Sequence, residues 1–171
     1  PQNSELINQT SITADKHGNP YIATYYRDEN SDVPQYRVIY LDKKENWQNI
    51  ALNFRKTAFS LSGTGTKKIP ISRPQILFYN KFLSKKIFLI FRDEERGYRA
   101  SMAVCSNLKK NKWKITDITD YSLGDWEPTY DTELWKTKKR LHLFLQETNQ
   151  GDGEQNTNTE AQPITVKAVK H

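Results

Sequence analysis

Arginines and tyrosines at the ends of apolar runs are the residues of this sequence whose types and spacing could do chemistry. Tyr26 and Arg27 close one apolar run, and Arg37 opens the next. Arg92 and Arg99 take the same places in a second pair of runs. The planar fork of arginine matches a carboxylate, sulfate or phosphate with two hydrogen bonds. These positions therefore indicate a site for an anionic ligand such as an acidic sugar.

Tyrosine could supply the acid or base of such a site. A phenol beside arginines loses its proton more easily and can act as a general base or a general acid. Tyr25 and Tyr26 are the candidates, and at most one of them faces the site because side chains alternate along a strand. The alternative is that they are simple core aromatics.

These residues lie in a sequence motif that occurs twice in the chain. Tyr26-Arg27-Asp28-Glu29 followed by Tyr36-Arg37 returns as Phe91-Arg92-Asp93-Glu94 followed by Tyr98-Arg99. In a third, degenerate copy Gln146 stands where Arg27 and Arg92 stood. Repeats of this length fit the blades of a β-propeller better than a helical solenoid.

The elements that must position these residues are short strands separated by turns, since no segment keeps a helical period for three turns. The sequence predicts an all-β propeller with about three four-stranded antiparallel blades, over roughly 11–53, 73–118 and 126–170. Propellers need roughly four to eight blades. We therefore expect 1–171 to be the C-terminal part of a single propeller domain, within a larger ring whose N-terminal blades are missing. Residues 53–72 form a long loop, which indicates a functional or mobile segment.

Blade geometry brings the candidate residues to one mouth, where first strands start, second strands end and third strands start. Arg73, Trp126 and Glu127 stand at first-strand starts, Tyr26, Arg27, Arg92 and Gln146 at second-strand ends, and Arg37 and Arg99 at third-strand starts. The repeated Arg27 and Arg92 can equally be salt-bridged scaffolding. Trp126 and Glu127 form either a sugar-stacking platform with a carboxylate or a packed strand start. Arg37 and Arg73 are less repetitive and are better candidates for chemistry.

Composition excludes several other functions. The 171 residues carry a net charge of +6 without a contiguous basic stripe, which argues against nucleic acid as a partner. No apolar run is long enough to span a bilayer. The lone Cys105 excludes an internal disulfide framework and is predicted to be a buried small hydrophobe. The three histidines form no metal pair, so no cofactor is expected, although a structural metal ion would fit in the missing part.

Several strings resemble BNR-type propeller proteins, relatives of the bacterial neuraminidase repeat group. They are Gly18-Asn19-Pro20-Tyr21-Ile22-Ala23, Arg73-Pro74, Phe91-Arg92-Asp93, Trp126-Glu127-Pro128-Thr129-Tyr130-Asp131 with Leu134-Trp135, and Leu141-His142-Leu143. Within that group the sequence is most similar to the seven-bladed ulvan lyases and to related lyases and hydrolases acting on rhamnose-glucuronate linkages, which implies that the three blades belong to a seven-bladed ring. The resemblance implies a secreted or periplasmic protein whose partner is an acidic polysaccharide or oligosaccharide.

The resemblance also implies a reaction, β-elimination at a uronic acid. An arginine neutralises the carboxylate, a base removes the C5 proton, and a tyrosine or histidine protonates the leaving oxygen. By motif position the tyrosine role passes to Tyr26 or Tyr25, the neutralising role to Arg37, and a further carboxylate contact to Arg73. The lyase histidines have no counterpart here, so this chain alone is expected to be inactive. A sialidase-like or rhamnosidase-like hydrolase and a noncatalytic glycan-binding propeller remain as alternatives.

Overall fold

The fold is described from a computed structural model. It describes residues 4–6, 11–63, 65, 67–81, 84–151, 153, 157 and 160–171. Nearly all regular structure is β-strand, in antiparallel sheets whose strands follow one another in chain order. The first sheet contains β1 (Ser11–Ala14), β2 (Pro20–Tyr26), β3 (Gln35–Leu41) and β4 (Trp47–Ala51). The second contains β5 (Gln75–Lys81), β6 (Ser84–Asp93), β7 (Arg99–Cys105) and β8 (Lys114–Asp117).

The third sheet departs from the four-stranded prediction within the described residues. It contains β9 (Thr129–Tyr130), β10 (Leu141–Leu145) and β11 (Thr165–Val169), with β10 in the middle. The strand pattern of the sequence predicts a strand over 128–134, but β9 ends at Tyr130 and α1 (Thr132–Lys138) begins two residues later. The side chain of Asp131 accepts the Leu134 N–H at the start of α1, and Trp135 is buried. Helix capping and the burial of one indole outweigh the strand pattern.

Side-chain alternation divides the interior into two cores. Ile87, Leu89 and Phe91 of β6 pack towards the first sheet, together with Tyr25 and Tyr36. The intervening residues of β6 pack towards the third sheet with Leu77, Leu141, Leu143 and Leu145. A sheet buried on both faces between two neighbouring sheets is how blades stack in a propeller. Cys105 is buried in this region, as predicted.

Two turns of the first sheet share one hydrogen-bonding pattern. Asp15 accepts the backbone N–H of His17 at 2.8 Å and of Asn19 at 3.1 Å. Asp42 accepts the N–H two and four residues ahead at the same two distances. Asp-x-x-x-Asn is thus a local signal for these turns, because a carboxylate can mimic a backbone turn. The all-β prediction with propeller-like blades is confirmed, and the described sheets do not close a ring.

Candidate functional site

The starts of the second and third blades meet in an ion pair. Arg73, just before β5, donates from Nε to Glu127 Oε2 at 2.6 Å, and its backbone N–H donates to Glu127 Oε1 at 3.2 Å. The two side chains are 34% and 26% exposed. Sequence analysis placed both residues at first-strand starts, and the structure brings them together. This pair is partly open to solvent, so a ligand can reach it.

Tyr25 lies beside this pair but below the surface. It is 1% exposed, and its phenol oxygen has no hydrogen-bond partner within the described part of the chain. Burial and the negative charge of Glu127 raise its pKa, and the positive charges of Arg73 and Arg92 only partly offset them. The arginines act in the expected direction, yet burial dominates. At neutral pH the phenol therefore keeps its proton and can donate a hydrogen bond or a proton, but cannot act as a base.

Arg92 is used by the scaffold. It is 2% exposed, and its guanidinium donates to the carbonyl oxygens of Ile69, Ile71 and Trp126 at 3.2 Å each. Its own backbone N–H donates to Ser72 Oγ at 2.8 Å. These contacts tie the end of the long loop to the start of the third blade. This geometry supports a scaffolding role for Arg92 rather than a role in binding a ligand.

Arg27 occupies the equivalent place in the first blade and has a more polar environment. Its Nη1 lies 3.2 Å from Asp32 Oδ1, and its Nε lies 3.9 Å from Glu5 Oε1. Its backbone N–H donates to Ser4 O at 2.9 Å. Glu5 precedes β1 just as Ile69–Ile71 precede β5. From here on, "the mouth" means the surface formed by Arg73, Glu127, Arg27 and Glu5, with Tyr25 buried beneath it.

Tyr26 and Arg37 lie on the opposite face of the first sheet from Tyr25. The Arg37 guanidinium carbon sits 4.1 Å above the centre of the Tyr26 ring, and its Nη2 pairs with Asp28 at 2.5 Å. Tyr26 accepts a hydrogen bond from Asn49 at 2.5 Å. Alternation along β2 and β3 explains the separation, because Tyr25 and Tyr36 face the second sheet. The structure therefore brings Tyr26 and Arg37 together, but away from Arg73 and Glu127.

The remaining predicted residues have structural contacts. Trp126 donates from Nε1 to Phe144 O at 3.0 Å and packs beside the second core. Arg99 lies 3.5 Å from Asp117 at the edge of β7. Gln146 donates to Gln162 O at 2.5 Å, which ties the end of β10 to the segment before β11.

Sequence analysis missed Arg55, which lies in the long loop. Its Nε donates to Asp93 Oδ2 at 3.0 Å, its Nη2 donates to Glu94 Oε1 at 2.9 Å, and Nη1 has no partner within the described residues. Glu95 accepts two backbone N–H groups just after Arg55. The acidic run Asp93-Glu94-Glu95 could have indicated such a residue, because three neighbouring carboxylates need a cationic partner when they are partly buried.

The same loop is fixed at three places rather than free. Acidic residues after β6 hold its start, the Glu5 carboxylate accepts hydrogen bonds from Ser60 and the Leu61 N–H, and Arg92 holds its end. The Phe59 ring lies 6.4 Å from the Tyr25 ring. Phe59 of the loop therefore packs against the core that contains Tyr25 and contributes to the burial of this tyrosine.

Among the described residues no group of three or more His, Cys, Asp or Glu side chains is arranged to hold a metal ion. No helix there has the length and apolar character needed to cross a bilayer.

Comparison with known proteins agrees with the architecture. A family model described as "BNR repeat-containing family member" matches residues 1–55, which include the whole first sheet. No curated protein matches the chain. The match supports a BNR-type domain, and such repeats occur in glycan-acting enzymes and in glycan-binding proteins.

Proposed function

We propose that this chain forms part of a carbohydrate-active β-propeller whose mouth binds an acidic glycan. The observation that carries the proposal is the Arg73–Glu127 pair, partly open to solvent, with the protonated Tyr25 phenol beneath it. An arginine fork suits the carboxylate of a uronic acid, and a carboxylate suits sugar hydroxyls. A uronate carboxylate would replace Glu127 on Arg73 and leave Glu127 to accept from the sugar.

The finer proposal is a lyase that cleaves a uronate- and rhamnose-containing polysaccharide such as ulvan by β-elimination. In that reaction Arg73 neutralises the carboxylate and Tyr25 protonates the leaving oxygen, which fits a phenol that keeps its proton. Because Tyr25 is buried and Phe59 of the long loop packs beside it, substrate must displace that part of the loop to reach the phenol. We place the base in further blades that complete a ring with these sheets, so that 1–171 binds glycan without cleaving it. The match to a BNR repeat family supports a glycan-related propeller, whereas the β-elimination reaction is our proposal.

A noncatalytic glycan-binding propeller is the second candidate. It is favoured by the burial of Tyr25 and by the use of Arg92 as scaffold. A hydrolase on the same scaffold differs from a lyase in its product, since only the lyase forms an unsaturated uronate.

The test is calorimetric titration of 1–171 with a uronate-containing oligosaccharide and with a neutral one of equal length. We expect binding of the acidic glycan only, and about tenfold or greater weakening in Arg73→Gln, because a charge-assisted pair is lost. Arg140→Gln removes the same charge from an exposed residue before β10, at the other end of the strands, and should bind as wild type. Equal binding by Arg73→Gln and wild type would remove the mouth from the proposal.

The reaction is tested on the protein with its further blades. Ultraviolet absorbance of an unsaturated uronate product that disappears in Tyr25→Phe supports the lyase. Sugar release without that absorbance indicates the hydrolase. Binding without any turnover indicates the noncatalytic propeller.

A further inference from the structure

A second cavity lies between the first and second sheets at the strand ends opposite to the mouth. β2 begins there and β3 and β5 end there, whereas Tyr25 stands near the other end of β2. The cavity has a volume of about 390 Å³, within the size range of small-ligand sites. We call it the lower pocket. Its lining includes the rings of Tyr21, Tyr40 and Phe78 and the lysines Lys43, Lys85, Lys86 and Lys109.

The three rings form one stack that crosses from blade to blade. Tyr21 lies 6.0 Å from Tyr40 and 5.2 Å from Phe78 between ring centres, with interplanar angles of 11° and 14°. The stack uses the ring faces, so the two tyrosines offer their edges and hydroxyls to a ligand. Neither phenol oxygen has a hydrogen-bond partner among the described residues. Burial raises the pKa of both phenols, so both remain protonated donors.

The charge in the lower pocket is positive. None of its four lysines forms an ion pair within the described part of the chain, and its described lining contains no acidic residue. The nearest carboxylates are already engaged, because Asp15 and Asp42 each accept two backbone N–H groups of their own turns. Lys109 acts on Asp42 at longer range and contributes to lowering its pKa. The lower pocket therefore presents ammonium groups that form no ion pair among the described residues, together with hydroxyl groups that can donate hydrogen bonds.

We propose that the lower pocket is a second binding site, which takes a compact oligoanion of sugar size bearing sulfate or phosphate ester groups. Ammonium groups are point charges that suit tetrahedral oxyanions, and the phenols donate to the remaining oxygens. The lysines come from three separate segments, which suits a ligand with two or more anionic groups. Single-stranded nucleic acid needs free aromatic faces for base stacking, and the ring stack leaves few of these.

The test is calorimetric titration of 1–171 with a sulfated disaccharide, a sugar bisphosphate and an uncharged disaccharide. We expect the two anions to bind and the uncharged sugar not to bind, and the tighter anion identifies the ester group. The double variant Lys43→Gln/Lys109→Gln should bind at least about tenfold more weakly, because two charge-assisted contacts are lost. Lys136→Gln/Lys138→Gln removes the same charge from exposed positions on α1 and should bind as wild type.

A second measurement locates the ligand. The ring resonances of Tyr21 and Tyr40 should shift on binding, while those of Tyr25 should not. Tyr21→Phe keeps the ring stack and should weaken binding about threefold, the loss of one modest hydrogen bond. Equal weakening in the two lysine double variants, an equal loss in Arg73→Gln, or no binding by the wild type would overturn the proposal. If the mouth bound no glycan, the expected results for the lower pocket would be unchanged.

Discussion

The buried ion pair between Arg55 and Asp93 joins the long loop to the end of β6. Neither side chain is exposed to solvent. Asp93 also accepts the Glu95 N–H at 2.9 Å, and the Tyr36 hydroxyl donates to the neighbouring Arg92 carbonyl at 2.9 Å. Burial raises the pKa of Asp93 to about 6, because the attraction of Arg55 is opposed by desolvation and by two neighbouring glutamates. Titration of this carboxylate should therefore affect stability at mildly acidic pH.

Asp93 predicts a pH dependence of folding. Its folded pKa lies above the unfolded value, so the folded state holds the proton more tightly, and stability is lost as pH rises from about 4 to about 6. The unfolding free energy of wild type relative to Asp93→Asn should fall by about 1–3 kcal/mol across that range. Urea unfolding at several pH values measures it.

Asp117 provides a control of opposite sign. Burial raises its pKa, but hydrogen bonds from Ser101 and Arg96 outweigh burial and lower the value overall. Its contribution should be lost as pH falls, so Asp117→Asn should give the reverse trend. Should Asp93→Asn fail to fold, carbon NMR of the Asp93 carboxyl in wild type reports its pKa directly. A value at or below 3.8 would contradict the prediction.

At the scale of elements, a close backbone contact joins the segment before the third blade to the end of that blade's β10 hairpin. Gly124 pairs with Thr148, and the Asp125 N–H donates to Thr148 O at 2.9 Å. Gly124 has φ +57°, and a Cβ there would lie 2.0 Å from Thr148 O. Because the obstacle is backbone, no side-chain rotation relieves it. Only glycine allows this contact.

Gly124→Ala should therefore destabilise the protein by about 2 kcal/mol or more, through both the steric clash and the left-handed conformation. Gly18→Ala is the matched control, because Gly18 has φ +84° and no atom within 4 Å of an added Cβ. It should cost only about 1 kcal/mol. Thermal or urea unfolding of both variants measures the difference. Similar losses in the two variants would show that the contact with Thr148 contributes little.

At the scale of the whole molecule, two sheet faces are uncovered in the described structure. Ile12 and Trp47, on the face of the first sheet away from the second, are 65% and 59% exposed. Val166, paired with Phe144 on the outer face of the third sheet, is 57% exposed. Exposed apolar sheet faces mark interaction surfaces. In a closed ring both faces would pack against neighbouring blades, which is why we propose further blades.

Residues 1–171 by themselves should associate with increasing concentration through these faces. Trp47→Glu/Val166→Glu should shift sedimentation towards the monomer, because charges are costly to bury in an apolar contact. Tyr121→Glu introduces one such charge at a partly exposed aromatic outside both faces and should associate as wild type. Wild-type protein that stays monomeric at every concentration tested would contradict the prediction.

Most of the β-strand architecture could be predicted from the sequence because strands and turns carry local sequence signals. The first two sheets were predicted closely from strand alternation, from turn residues such as Asp42 and Asn46, and from the repeated sequence motif. The third sheet was predicted less well, since Asp131 caps a helix and Trp135 finds a core position that no local pattern reveals. Capping is visible in sequence, but the burial of an indole depends on neighbouring blades.

For the candidate site, the sequence alone indicated which residues stand near strand ends, and it placed Arg73 and Glu127 separately at the starts of two blades. The tertiary structure decided every contact that a neighbouring sheet or the long loop supplies. It buried Tyr25 in the core beside Phe59 of the long loop, and it engaged the Arg92 guanidinium with backbone carbonyls. It also separated Arg37 from the mouth by the thickness of a sheet. The physical reason is that alternation fixes the face of a side chain relative to its neighbours, whereas the contacts on that face come from residues distant in sequence.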